Sequence, residues 1–283
     1  MMDIQTFTKA IDEAVDRGVE WLDIYGVGFF NAIRSVLHGA YVGIEWVLLA
    51  PPFFAVAAGV GILGWRSVSL RFGVLAAFAL SFCAMMGLWK ETMETLALVI
   101  AATLLALLIA IPVGVLAGFK QRLNEMLLPV LDMIQTLPPY IYLLPAVALL
   151  GYGPATALAA TFVAAIPPAL RLTSLGIRLT PRNFLELGQA TGTTPVQMFM
   201  KVRLPFALPS IMAGVNQSLM AAVGMVVIAG IVGSGGLGYT IYDAIRTLNI
   251  GKSIDGGIAI VILTVILDRI TEGLAADKRE ASS

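Results

Sequence analysis

An all-helical, polytopic membrane bundle of about seven spans is the fold class that three observations predict. Hydrophobic residues make up 58% of the 283 and charged residues only 13%, where soluble domains carry nearly half and about a quarter. The mean hydropathy is +0.89. The apolar residues fall into seven runs, roughly 46–64, 68–88, 92–118, 126–150, 154–174, 207–232 and 256–274, of the length that crosses about 30 Å of hydrocarbon. Runs this continuous can satisfy their backbone polar groups in lipid only as helices.

The same composition excludes several function classes. A formal net charge of zero gives no broad attraction for nucleic acid. A single cysteine, Cys83, permits no intramolecular disulfide, and with one histidine, His38, the soft ligand sets that hold zinc cannot be assembled. His38 reads as a polar residue near a helix end. No GxxxxGK[ST] loop is present, so the chain cannot cradle a nucleoside triphosphate in that way.

The elements follow in chain order. Residues 1–90 form the first unit. Its opening 23 residues carry Asp3, Asp12, Glu13, Asp16, Glu20 and Asp23 against Lys9 and Arg17, with Ile4, Phe7, Ile11, Val15 and Leu22 at near-helical spacing, the pattern of an acidic amphipathic helix. Its charge is opposite to that of a secretory signal, so the segment is expected to stay on the mature chain. Two peripheral spans follow, with Gly59, Gly61 and Gly64 in the first. Residues 91–276 form the core of five spans, in which Gly114 and Gly118 make a GxxxG pair suited to close helix packing. Residues 277–283 are a short tail.

Polar groups interrupt two of the core spans, and polar side chains within a bilayer tend to face the bundle or an aqueous cavity. One interruption is Gln135, Thr136, Pro138, Pro139, Tyr140 and Tyr142, whose prolines remove amide donors and kink a helix. The other is Asn216, Gln217 and Ser218. Gln135, Thr136, Pro138, Tyr140, Asn216 and Gln217 are therefore the candidate substrate path, and aromatic faces near it favour a quaternary ammonium group. Asp132 and Asp268 are the acids most nearly embedded in apolar sequence, with Arg171, Arg178 and Lys120 as possible structural partners. The segment 234–252 reads as an external surface helix.

Between the fifth and sixth spans lies ELGQATGTTPVQMFMKVRLP, a polar stretch that outlines two short helices around Gly192. Gly192 supplies the bend, and Thr194 with Pro195 starts the second helix. Glu186, Gly192, Val202, Leu204 and Pro205 stand at the spacing of the EAA signature, and the stretch resembles the cytoplasmic loop of ABC importer permeases. Leu187 and Gly188 replace the two alanines of that signature and Val202 its isoleucine. The segments at 131–145, 166–177, 208–238 and 258–271 look like the permease of the glycine betaine and proline betaine ABC importers, a likeness that covers about two thirds of the chain.

The resemblance implies a type I importer in which two copies of this chain meet two cytoplasmic ABC ATPase subunits and an external or periplasmic substrate-binding protein. ATP and magnesium would then belong to the ATPase, with no cofactor on this chain and no enzymatic activity of its own. Residues 181–205 would be the coupling loop, with Glu186 as a cap or polar anchor, Val196, Met198 and Phe199 as the apolar surface pressed on the ATPase, and Leu204 with Pro205 closing the loop. The implied cargo is glycine betaine, choline or a related methylated amine. The alternative is an amino acid such as histidine or proline. A secondary transporter would show embedded coupling acids and inverted repeats, which the sequence lacks.

Lysine and arginine mark the cytoplasmic side. Placing the loop inside collects Arg66, Arg71, Lys120, Arg122, Arg171, Arg178, Arg182, Lys201, Arg203, Arg269, Lys278 and Arg279 there, and leaves Lys9, Arg17, Arg34, Lys90, Arg246 and Lys252 outside. With seven spans the amino terminus is then external and the carboxyl terminus cytoplasmic in the plasma, or inner, membrane.

Overall fold

The computed structural model describes residues 4–280, and the secondary structure assigned to them is helical throughout. The side chains of Ile4, Phe7, Ile11 and Val15, on which the amphipathic reading of the first helix rests, lie outside the described set, as do residues 281–283 of the tail.

Helix α1 runs from Ile4 to Leu49 without a break. It takes in the first residues of the span expected at 46–64, because the chain can leave the helix only where Pro51 and Pro52 forbid it. Helices α2 (Phe53–Ser67) and α3 (Leu70–Met85) form a hairpin of 15 and 16 residues. At 1.5 Å per residue each is about 23 Å long, shorter than the two runs read from the sequence. The Ser69 hydroxyl caps α3 by accepting from the Phe72 amide at 3.2 Å. Gly61, Gly64 and Gly73 let the two backbones touch, whereas Gly59 faces open space.

Helix α4 (Trp89–Phe119) is followed by α5 (Gln121–Thr136) and α6 (Tyr140–Leu150). The span expected at 126–150 is thus two helices, set at 94° to one another. Helix α7 (Pro154–Arg178) precedes the loop helix α8 (Arg182–Ala190). A short helix α9 (Pro195–Gln197) passes through a π turn at Met198–Arg203 into α10 (Leu204–Ala229). Helices α11 (Gly236–Arg246) and α12 (Ile250–Glu280) complete the chain. Among the described residues, five segments are long and apolar enough to cross a membrane: Ile24–Leu49, Trp89–Phe119, Pro154–Arg178, Pro195–Val232 and Ile250–Ala275. The α5–α6 pair makes a sixth if counted as one span.

The heart of the fold is α7 packed between α4 and α10. Glycine places those backbones in contact. A Cβ on Gly114 would stand 2.8 Å from the Leu170 carbonyl, and one on Gly176 would stand 3.0 Å from the Ala207 carbonyl. Alanines 97, 101, 102, 106 and 110 continue the α4 side of this seam and are buried. Small residues substitute for bulk here because helices in lipid gain from close van der Waals approach rather than from leaving water.

The bundle has two distinct ends. At one, the α4 terminus meets the loop, with Phe119 and Phe199 rings 5.8 Å apart. The α2–α3 turn touches α12 near this end through Ser67 and Gly273. At the other end, the Gly153 amide donates to the Val232 carbonyl at 2.9 Å, and α11 docks on the start of α4.

Candidate functional site

The loop between α7 and α10 is a built unit. Gly192 has φ +70°, a backbone conformation that side chains disfavour, and it turns the chain where the sequence expects a bend. The Thr193 amide donates to the Gly188 carbonyl at 2.9 Å and closes α8. Thr194 and Gln197 then form a capping box: the Gln197 amide donates to the Thr194 hydroxyl at 3.4 Å and the Thr194 amide to Gln197 Oε1 at 3.0 Å, with Pro195 in the first turn.

Side chains that the sequence assigns to a partner surface are divided by the structure. Val196 is 71% exposed and free to meet another protein. Met198 instead lies against Gly188, where a Cβ would collide with its thioether. Phe199 packs inward on Ile177, Ala207 and Ile211 together with Leu204. Glu186 lies mid-helix in α8 and exposed, so it does not serve as the expected cap; α8 has no acidic residue in its first turn. Leu187 is 61% exposed beside it.

Two aromatic ties were not legible in the sequence. Phe184 of α8 and Phe206 of α10 have ring centroids 4.8 Å apart, and the Arg203 guanidinium stands 4.8 Å over the Phe119 ring. Each joins positions whose proximity appears only after the loop folds back. The π turn also escaped notice, although its cause is present. Pro205 has no amide hydrogen and its ring crowds the carbonyl four residues earlier. The Leu204 amide bonds to Phe199, five residues back, and single π turns of this kind recur at functional sites.

The candidate path residues separate into two groups. Gln135, Thr136, Pro138 and Tyr140 are exposed at the α5–α6 bend, with Tyr140 at 52%. Gln217 is exposed on α10, and α7 packs between α10 and the α4–α5 side of the bundle. Asn216 does not face the same way as Gln217: its Nδ2 donates to Asp268 Oδ1 at 3.0 Å. This ties α10 to α12 and supplies the partner for Asp268. Asp132 pairs with Arg171 at 2.6 Å, one of the structural pairings expected for it.

Ser218 is the residue whose role the sequence hid. Its hydroxyl donates to the Ala165 carbonyl at 2.6 Å and accepts from the Ala169 amide at 3.1 Å. It thus bridges α7 across Pro167 and Pro168. At the opposite end, Glu94 accepts from the Gly236 amide at 2.6 Å and Thr95 from the Leu237 amide at 2.8 Å. The first turn of α11 is held by α4, where a carboxylate also suits the helix dipole.

With this geometry in view, residues 110–280 match the family model described as binding-protein-dependent transport system inner membrane component. The chain is 36% identical over 269 residues to the glycine betaine/proline betaine transport system permease protein ProW of Escherichia coli (strain K12), covering 95% of this chain and 76% of that one. It is 34% identical over 267 residues to the glycine betaine transport system permease protein OpuAB of Bacillus subtilis (strain 168), covering 94% and 95%. A solved structure of the MetNI methionine ABC transporter in an inward-facing conformation is similar with a TM-score of 0.59 and 25% identity, over 65% of this chain and 93% of that one.

Proposed function

The chain belongs to the family of binding-protein-dependent transport system inner membrane components, and on that premise we propose that it is the permease of an ATP-driven importer for glycine betaine, choline or a related methylated amine. The observation that carries the coupling half of this reading is the loop itself. It is exposed, braced by its own caps, and continuous through the π turn with α10. A push on α8 therefore reaches a spanning helix without passing through a flexible linker. Two copies of the chain, two ATPase subunits and an external binding protein complete the assembly. ATP and magnesium act in the ATPase.

In this reading Glu186, Leu187 and Val196 meet the ATPase, while Gly192, Thr194 and Pro195 shape the loop. Met198, Phe199, Leu204 and Pro205 transmit its movement to α10. The α5–α6 bend, with Gln135, Thr136, Pro138 and Tyr140, lines the path together with Gln217, and Asn216 positions α10 against α12. A zwitterion or cation passes uncharged amides and phenol faces without being trapped by a fixed counter-ion.

The loop faces the cytoplasm, and α11 faces outward. Helix α1 is then an interfacial element of the outer side. It meets the α6–α7 turn at Arg34 and the start of α4 at Leu48 and Leu49, both outer ends of the bundle. That arrangement suits a helix lying across them and keeps the amino terminus outside.

Uptake of radiolabelled glycine betaine, choline, proline and histidine into proteoliposomes holding this subunit with its ATPase and binding protein tests the reading. Methylated amines should accumulate only with ATP. Accumulation of histidine or proline alone would replace the cargo, and movement without ATP would remove the coupling role. Gly192→Val, which forces a β-branched residue into positive φ, should insert normally yet lower coupled uptake by about tenfold, a loss of about 1.4 kcal/mol.

A further inference from the structure

We propose that the polar hollow between α1 and the α6–α7 turn receives an acidic side chain of the external substrate-binding protein, and that Arg34 holds it. The inference rests on the importer reading above, which supplies the partner and places this end of the bundle outside. The hollow, of about 370 Å³, is lined by Asn31, Arg34, Ser35 and His38 of α1 and by Tyr152 with the start of α7. The four α1 residues recur at the spacing of one helix face, and each of them is polar.

Charge singles this hollow out. The cations of α4, α11 and α12 at the same end of the bundle already have carboxylates: Lys90 lies 3.6 Å from Glu94, and Arg246 and Lys252 each stand 3.3 Å from Asp243. Arg34 makes no ion pair among the described residues, and no carboxylate lines the hollow. Its guanidinium lies over the α6–α7 turn, where a Cβ on Gly151 would stand 3.5 Å from Nη1. The Ser35 hydroxyl spends its proton on the Asn31 carbonyl at 2.8 Å. The guanidinium, the imidazole, the Asn31 amide and the Tyr152 phenol remain as donors, and a carboxylate supplies the acceptors that a guanidinium binds in pairs.

Two further features favour a protein as the source of that carboxylate. Tyr152 is 72% exposed, and an open tyrosine beside an arginine is the pairing enriched where protein interfaces bind most strongly. The turn is also tied to the helix that the cytoplasmic loop continues into, since the Gly153 amide donates at 2.9 Å to the carbonyl of Val232, just past the end of α10. A carboxylate docked on Arg34 therefore bears on the outer end of α10, as the ATPase bears on its inner end.

The test uses the full chain reconstituted with its ATPase and binding protein, and follows ATP-driven uptake of radiolabelled glycine betaine as the concentration of binding protein is raised. Arg34→Glu should raise the half-saturating concentration about tenfold, because a like charge replaces a complementary one, while the melting temperature and the uptake at saturating binding protein stay near native. Asn31→Asp gives Arg34 an internal carboxylate on the same helix face and should raise that concentration about twofold, the scale of such a pair. Arg34→Lys should keep most of the native value, and in that chain a carbodiimide should couple residue 34 to an aspartate or glutamate of the binding protein, identified by mass spectrometry. An unchanged half-saturating concentration in Arg34→Glu, or coupling of residue 34 only to a carboxylate of a second copy of this chain, overturns the proposal. Native uptake that is absent or indifferent to the binding protein would instead overturn the importer reading, and the proposal with it.

Discussion

Two proline pairs occupy the same bundle and have opposite effects. Pro138 and Pro139 end α5, and the chain leaves at 94° in α6. Pro167 and Pro168 sit inside α7, which continues through all 25 of its residues. The difference lies in the neighbours. In α7 the Ser218 hydroxyl reaches from α10 and joins the Ala165 carbonyl to the Ala169 amide across the break. At the α5–α6 junction the Leu137 amide closes one helix on Met133 and the Ile141 amide opens the next on Pro138. Among the described residues, no second helix lends a hydroxyl between them. A proline pair becomes a bend when no neighbouring helix braces the turn that it loosens.

Ser218→Ala is the strongest way to break this comparison. It removes a buried hydroxyl that bonds both a carbonyl and an amide of α7, and a buried hydrogen bond contributes about 0.5–1.5 kcal/mol. The detergent-solubilised chain should therefore melt several degrees lower, and Ser218→Cys, a weaker donor of similar size, should fall between. Thr136→Val at the bend removes only an exposed hydrogen bond to its own helix and should cost under about 0.5 kcal/mol. If the two substitutions cost the same, the bridge across α7 has no structural weight.

Replacing the prolines tests the other arm. Pro138→Ala with Pro139→Ala restores two amide donors and allows α5 to run into α6. Uptake in proteoliposomes should fall about tenfold, near 1.4 kcal/mol on the transport barrier, while thermal stability holds or rises. Unchanged uptake would mean that the bend does not shape the path. The exposed ion pair between Asp132 and Arg171 lies beside the same bend and should matter less. Asp132→Asn should lower stability by about 0–1 kcal/mol, as exposed pairs do, with a smaller loss in high salt.

What the sequence made legible was whatever local chemistry decides. Most of the core spans show in long apolar runs, and the loop's turn and second helix follow from Gly192, Thr194 and Pro195, residues whose conformational preferences act within three or four positions. Pairings across the fold were hidden. Ser218 lies about fifty residues from the carbonyl that it serves, and Asn216 reads as a path residue until Asp268 is seen beside it. Met198 and Phe199 read as a partner surface for the same reason: an apolar residue on a short helix has two faces to choose from, and only Gly188 and Phe119 decide which. Helix α1 runs on past the first 23 residues to Leu49, since nothing before Pro51 and Pro52 breaks the helix, a length that the amphipathic pattern of its opening residues does not set.

The smallest expected effect concerns the end of the bundle at α11, where the bend is held by charge rather than by proline. Between α11 and α12, Asp243 accepts from Lys252 at 3.3 Å and from Arg246 at 3.3 Å. The hydrogen bond from Lys252 holds the Asp243 carboxyl below its ordinary value, partial burial opposes it, and Arg246 adds to the lowering. A carboxyl depressed in the folded state contributes stability above its unfolded pKa of about 3.9. That contribution is lost as pH falls through the lower folded value, because the unfolded chain takes up the proton first. Asp243→Asn should therefore leave a melting curve slightly lower than the native one at neutral pH and converging with it below about pH 4. Comparing the two chains by differential scanning fluorimetry across that range isolates the clasp, since every other carboxyl titrates in both. Parallel curves with a constant offset would assign the loss to side-chain packing and remove the ion pair from the account of how α11 is held.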